Sequence, residues 1–421
     1  MSNMIRKERT YLHMPSANIV MAFYLKGNVD TDALANAIRA VSAGHEILSC
    51  RIKLNEDGSA SYQHQEFSAS QVEVKEGICW EDVLHEMERI PFHIGQGEWM
   101  HHVLIKLKDG LEWVIVAHHL AGDGYSLLYF ARDVLTAMQI PGQNMPFHPL
   151  RLFEPGDMPA GAKLNPLLGL MMHLTNRRWE KKRKTFSWED RIRLHEKFWS
   201  ARRTGIISRE MEGEKLSHLL EVCRDHHVTL TAAMVTALLL CTPGESDVGL
   251  AVSVRPEGFE GMGNYATGVS IQFKPDTQKE FWSNAAKVHK SMLDKINHPG
   301  KKFFLLNFMN AITPTLIDAA YYSAVDGFAD PSAASMSRMF GYQGNGKGIS
   351  LTNLTRAPIP GQYGDISLHR IVFVPPLVPN AKRILGIVTT GSNMNVTMQY
   401  CVDYKENQLI FEKTFELLSS V

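Results

Sequence analysis

Hydrophobic and polar positions alternate between two periods along the first 140 residues. Asn18 to Leu25 (NIVMAFYL) is an apolar run of strand length. The next segment opens on Asp30-Thr31-Asp32, a helix N-cap signal, and continues with Leu34, Ile38 and Val41 near helical spacing. Glu46 to Leu54 (EILSCRIKL) reads as extended, with Asn55-Glu56-Asp57-Gly58 as the turn into another short strand. His101 to Leu107 and Leu111 to Ala117 flank Lys108-Asp109-Gly110 and predict a hairpin. Its second strand is almost wholly apolar (Leu111, Trp113, Val114, Ile115, Val116), as burial on both faces requires. That strand runs directly into His118 and His119. After Gly124, the residues Leu127, Leu128, Ala131, Val134, Leu135 and Met138 mark a helix, so the two histidines fall at a strand-to-helix junction.

From Pro141 to Asp190 the pattern loosens into a proline-containing crossover. An apolar stretch from Pro166 to Leu174 is followed there by the basic residues Arg177-Arg178 and Lys181-Lys182-Arg183-Lys184. The second half reopens with helical runs at Gly213 to His226 and Thr229 to Leu240. Strands follow at Asp247 to Val254, Ala266 to Phe273, Gly348 to Leu354, Ser367 to Val374, Ile384 to Thr390 and Asn395 to Val402. At 421 residues the chain exceeds what one core usually serves. The reading is an α/β protein with an N-terminal lobe at 1–160, a crossover at 161–195 and a C-terminal lobe at 196–421, without a sequence repeat between the halves.

Charge and cysteine content narrow the setting. Lys plus Arg equals Asp plus Glu, 44 against 44, so no global field draws the chain to nucleic acid or to an anionic surface. Five scattered cysteines without a C-x-x-C pair favour reduced thiols and a cytoplasmic compartment. The first residues hold no apolar h-region and no window has the length and apolarity of a spanning helix, so neither export nor membrane insertion is expected.

The chemistry concentrates at His118-His119-Leu120-Ala121-Gly122-Asp123-Gly124. Successive side chains on a strand face opposite ways, so one histidine reaches a cleft and the other packs. A neutral imidazole there accepts a proton from a hydroxyl or amine while its other nitrogen is fixed by a hydrogen bond. Gly122 and Gly124 flank the aspartate and permit a tight backbone path. The bland alternatives are a structural histidine pair or a metal site, although HHxxxD offers at most three ligands at a spacing unlike the helical H-E-x-x-H arrangement. His101-His102 and His226-His227 lack the following Asp-Gly and read as packing or surface residues. Gly341 to Gly348 is glycine-rich, but without Ser or Thr after its lysine it reads as a turn and not a P-loop. The basic residues at 177–184 read as a solvated helix face, with a CoA phosphate, an acidic carrier protein or a membrane surface as alternatives.

This segment resembles the HHxxxDG motif of the superfamily that contains chloramphenicol acetyltransferase, plant-type acyltransferases, alcohol acetyltransferases and nonribosomal peptide condensation domains. His45-Glu46-Ile47-Leu48 is similar to the HExL element of condensation domains. Val228 to Ala233 is similar to the helix entry in the second lobe. Ser253-Val254-Arg255-Pro256 with Met262-Gly263-Asn264-Tyr265 resembles an element of the alcohol acetyltransferase and polyketide-associated branches. Ser350-Leu351-Thr352-Asn353-Leu354, Tyr363-Gly364 and Phe373-Val374-Pro375-Pro376 resemble their C-terminal strands. The DFGWG element of the plant enzymes is absent.

The resemblance implies two chloramphenicol-acetyltransferase-like α/β lobes, mixed sheets with flanking helices, forming a V-shaped pseudo-dimer with His119 in a tunnel at their junction. It implies that His119 is the base and Asp123 a structural ion-pair partner, supported by His118 and Gly124. Position 49 is Ser49 where the HExL element is normally followed by arginine. Arg51, on the same face of a strand, and Arg255 are therefore the candidate partners of Asp123. Ser350, Thr352 and Asn353 are candidate oxyanion or tunnel residues. No bound cofactor or metal is implied; acyl-CoA or a phosphopantetheine thioester is the co-substrate. The expected function is acyl transfer from that thioester, free or presented by an acyl carrier protein, to a small-molecule or lipid alcohol. Amide formation between carrier-bound substrates and a non-catalytic adaptor role are the alternatives.

Overall fold

The apolar strand that leads to the histidines lies inside a six-stranded sheet. Gly110–His118 pairs antiparallel with Asn18–Lys26 on one side and with Met100–Lys106 on the other. Gln71–Glu76 extends the sheet beyond Met100–Lys106, while Ile366–Val374 and Gln362–Tyr363 extend it beyond Asn18–Lys26. A second six-stranded sheet runs in the order Thr204–Met211, Asn393–Cys401, Ala381–Thr390, Lys347–Arg356, Asp247–Ser253, Ala266–Gln272. Its centre is parallel and its edges antiparallel. These assignments come from a computed structural model that describes residues 3–66, 70–140, 142, 145–342, 347–378, 381–401 and 404–421.

Each sheet carries its own core. Helices Thr31–Gly44 and Gly124–Gln139 bury their apolar faces against the first sheet, and Leu230–Cys241, Phe281–Asn297 and Tyr404–Ser420 do so against the second. Leu230–Cys241 is apolar all round and has eight buried residues, as a helix enclosed between layers must. A third cluster joins Met172 and Trp179 of helix Pro166–Glu180 to Leu316, Tyr321 and Tyr322. Buried Arg9 fixes the N-terminal segment to that cluster through a bidentate pair with Asp318, its Nε donating to Oδ1 at 2.8 Å. No helix among the described residues is long and apolar enough to cross a membrane.

Several readings change. Ser367 to Val374 is a strand, but it pairs with Asn18–Lys26, so the C-terminal part of the chain contributes to the first sheet across the division at residue 196. Glu46–Ser49 is a 3₁₀ turn and only Cys50–Leu54 is extended, forming a two-stranded ribbon with Ala60–His64. The crossover is ordered as helices Pro166–Glu180 and Trp188–Ser200. The edge strands Gln71–Glu76, largely exposed, and Thr204–Met211, largely half-buried, lack an alternation of buried and exposed positions, which is why periodicity did not reveal them. Of the glycine-rich stretch at 341–348, residues 343–346 lie outside the described residues.

The two sheets meet where Thr397 Oγ1 donates to the Phe373 carbonyl at 2.6 Å. This approach needs a glycine: a Cβ on Gly386 would lie 2.1 Å from the same oxygen. Gly386→Ala should therefore destabilise the chain by about 1–3 kcal/mol, the usual range for overpacking, read as a lower urea midpoint at unchanged slope.

Candidate active site at the lobe junction

The central strand is buried from Leu111 to His118, and its end is fixed by two backbone hydrogen bonds. His118 N donates to the Trp99 carbonyl at 2.9 Å and His119 N to the Ala17 carbonyl at 2.8 Å. The alternation expected of a strand end then separates the pair. His118 packs near Phe92 and Trp99, its Nδ1 accepting from Leu120 N at 3.2 Å, and does not line the cavity that His119 enters. His119 enters the wall of a cavity of about 920 Å³ that also touches both sheets.

The tautomer of His119 follows from its partner. Nδ1 lies 2.9 Å from the Gly122 carbonyl, which can only accept, so Nδ1 carries the hydrogen and Nε2 keeps its lone pair. Burial pushes the imidazole pKa down, while the Gly122 carbonyl and the Asp123 charge pull it part of the way back. At neutral pH the ring is a neutral acceptor with Nε2 unbonded among the described residues.

Asp123 does not touch that ring through a hydrogen bond. Its Oδ1 accepts from Ser126 N at 2.9 Å and Ser126 Oγ at 3.0 Å, capping helix Gly124–Gln139, and from Arg255 Nη2 at 2.6 Å. Oδ2 accepts from Tyr265 N at 2.9 Å. Burial alone would raise this carboxyl, but the Arg255 charge and the amide donors hold it below the usual range. Arg255 in turn donates to the Gly261 carbonyl at 2.9 Å and lies 4.7 Å from the centre of the Tyr265 ring.

Arg255 is thus the partner of Asp123, and Arg51 is not. Arg51 is exposed and bonds Gln63 at 3.1 Å. The strand-face argument fails because the residues just before Arg51 form the 3₁₀ turn, where side chains do not alternate. Gly122 and Gly124 are needed for space and not for an unusual backbone. A Cβ on Gly122 would lie 2.7 Å from Ser126 Cβ, and one on Gly124 would lie 2.8 Å from Leu354 Cδ1. Ser350, Thr352 and Asn353 all line the cavity from strand Lys347–Arg356. Asn353 is committed elsewhere, bonding Thr231 Oγ1 at 3.0 Å and Thr355 N at 2.7 Å.

Sequence reasoning missed the N-terminal contribution. The Tyr11 ring lies 4.3 Å from the His119 ring, and burial lifts its phenol to about 12, so it stays protonated. Lys7 and Glu8 line the same cavity as a buried pair at 3.2 Å, with Lys7 also donating to the Asn264 carbonyl. No periodic or motif signal marks these residues; only tertiary packing brings them here. Away from the cavity, His45, Asp133 and His148 bring possible ligand atoms within 4.8 Å of one another. His45 Nδ1 accepts from Met262 N at 3.3 Å, so its Nε2 bears hydrogen and lacks the lone pair a metal needs. The cluster reads as a polar packing network.

No family model matches the chain. Part of it is 28% identical over 125 residues to a polyketide synthase-nonribosomal peptide synthetase of Pyricularia grisea, a stretch covering 28% of this chain and 3% of that protein. The first condensation domain of the CDA synthetase superposes with a TM-score of 0.65 at 13% identity, covering 98% of this chain and 94% of that one. The TRI3 trichothecene 15-O-acetyltransferase of Fusarium sporotrichioides gives 0.65 at 10% identity, covering 99% and 94%. The chain has the two-lobed condensation-domain and acyltransferase fold. These likenesses span the chain in structure, whereas the sequence likeness is confined to a small part of much longer synthetases.

Two measurements test this description. Arg255→Ala leaves Asp123 buried and unpaired and should destabilise by about 3–5 kcal/mol, whereas Arg51→Ala should change stability by less than about 0.5 kcal/mol in the same urea titration. Histidines held neutral by burial give the second. His13 is lowered to about 4, and His45, His102 and His195 to about 3. Below the ordinary value of 6.5 the unfolded chain binds protons that the folded chain refuses, so stability is intact above that pH and lost as pH falls. Each such histidine removes up to about 1.4 kcal/mol per pH unit. The melting temperature should drop steeply between pH 6.5 and 5.5; a flat profile over that interval contradicts the assigned burial.

Proposed function

We propose that the chain transfers an acyl group from a thioester to an acceptor hydroxyl, with His119 as general base. The observation that carries this reading is the His119 Nε2 lone pair, fixed by the Nδ1 bond to Gly122 and presented to a large, mainly apolar cavity. In the proposed step, Nε2 takes the acceptor proton as the oxygen attacks the thioester carbon. The tetrahedral oxyanion then collapses and expels the thiolate, which recovers the proton from the imidazolium. Attack is direct and no acyl-enzyme forms. The sequence offers no G-x-S-x-G nucleophile elbow. Ser350 and Thr352, among the hydroxyls on the cavity wall, are the candidate donors to the oxyanion.

The donor is acyl-CoA or an acyl group on a phosphopantetheine arm. The local likeness to a hybrid synthetase favours a second reading, amide formation between carrier-bound substrates. The adaptor alternative loses ground because the cradle of the base is complete. His118 and Asp123 are positioning residues, the first packing the strand end and the second setting the turn that holds Gly122.

A free-thiol assay with acyl-CoAs and acyl carrier proteins, against alcohols and amines, checks the proposal. Thiol release that depends on acceptor should fall by about 10²- to 10⁴-fold in His119→Ala without loss of melting temperature. Because the imidazole pKa is depressed, kcat/KM should be level through neutral pH and fall only below 6.5. Equal turnover in wild type and His119→Ala would sink the mechanism.

A further inference from the structure

Helix Pro166–Glu180 has two faces that sort by partner and not by polarity alone. Its inner face places Met172 and Trp179 in the third core cluster and Leu168 in the cavity wall. Its outer face carries Leu167, Leu170, Met171 and Leu174, exposed by 75%, 56%, 42% and 47%. These positions follow the spacing of one helical stripe and leave four large apolar side chains on its solvent face. The same stripe continues into Arg177, Arg178 and Lys181, all exposed and without a carboxylate partner among the described residues. Lys182 differs, being paired with Asp330.

Favourable placement of cations at a helix C-terminus accounts for part of the basic cluster. It does not account for four large apolar side chains left in water beside it. The surroundings extend the pattern. Phe304 and Met339, also exposed, line the cavity together with Leu168, as do Lys295 and Lys301. The cavity that His119 enters is therefore lined in part by exposed apolar side chains with Lys295 and Lys301 among them, Lys301 being paired with Asp294.

We infer that this face docks on a bilayer surface rich in anionic phospholipid, with the leucine stripe in the headgroup boundary and Arg177, Arg178 and Lys181 on the phosphates. Charge complementarity selects the occupant: an apolar stripe prolonged by unpaired cations fits a surface that is apolar below and anionic above. An acidic carrier protein would meet the cations but leave the leucines exposed, and a second copy of this neutral-balanced chain would meet the leucines but not the cations. The docking is peripheral and places the open end of the cavity at the membrane surface.

The test is flotation of the full chain with phosphatidylcholine vesicles, with and without phosphatidylglycerol. Support is co-flotation with the anionic vesicles that weakens as salt is raised, weakens about 30-fold in Arg177→Gln/Arg178→Gln, and is lost in Leu170→Glu/Leu174→Glu. All four positions are exposed, so melting temperatures should not change, and the charge variant reads the same interface without touching an apolar residue. The inference is overturned by absence of flotation, by equal flotation of the variants, by capture of an acyl carrier protein through these residues without vesicle binding, or by a dimer that Leu170→Glu/Leu174→Glu dissociates while vesicles are ignored.

Discussion

The buried pair between Asp123 and Arg255 is the interaction on which the junction depends. It joins the start of helix Gly124–Gln139 to the loop that follows strand Asp247–Ser253, across 132 positions of sequence. A carboxylate taken out of water is tolerable only when its oxygens are filled, and here Ser126, Tyr265 and Arg255 fill them. The pair and the cap are one structure, because the oxygen that receives Arg255 also receives Ser126 N. Without the arginine, the oxygen that caps the helix start would keep only the Ser126 donors against the cost of its buried charge.

That carbonyl explains how the site keeps its imidazole usable as a base. In a Ser-His-Asp arrangement a carboxylate orients the histidine and stabilises its cationic form. Here the nearby carboxylate is neutralised by Arg255, and a backbone carbonyl orients the ring instead. Burial then outweighs the residual pull of Asp123, and the ring stays neutral. For the proposed step the consequence would be a base that is unprotonated at neutral pH and that gives up its proton readily after attack, at the expense of intrinsic proton affinity.

The central strand and the strand-end place of the histidine pair were legible in the sequence because each follows from a local rule, whereas Asp123 was read as an ion-pair partner through the resemblance and its capping of helix Gly124–Gln139 was not foreseen. Arg255 was legible only as one of two candidates. The rule that admitted Arg51 assumed extended backbone through Glu46–Ser49, and a run as short as four residues does not distinguish a strand from a tight helical turn. Ile366–Val374 shows the complementary limit. Its composition identifies a strand, but period carries no information about which sheet receives it, so its pairing with Asn18–Lys26 emerges only in three dimensions.

The N-terminal segment is the part of the site with no local signature, and its role follows from anchoring. Arg9 is held by Asp318 and by the Gly58 carbonyl at 2.8 Å, while Arg191 donates to the Leu12 and Phe92 carbonyls, each at 2.8 Å. Two buried guanidiniums thus fix the backbone on either side of Tyr11. With the backbone fixed, the Tyr11 ring closes over His119, and Lys7 faces the cavity, where its charge further opposes protonation of the imidazole. A buried lysine and glutamate side by side in an apolar cavity are expensive to desolvate, and simple packing would be better served by apolar residues there. Lys7 is held in place by Glu8 and by the Asn264 carbonyl, which keeps its charge set against protonation of the His119 ring.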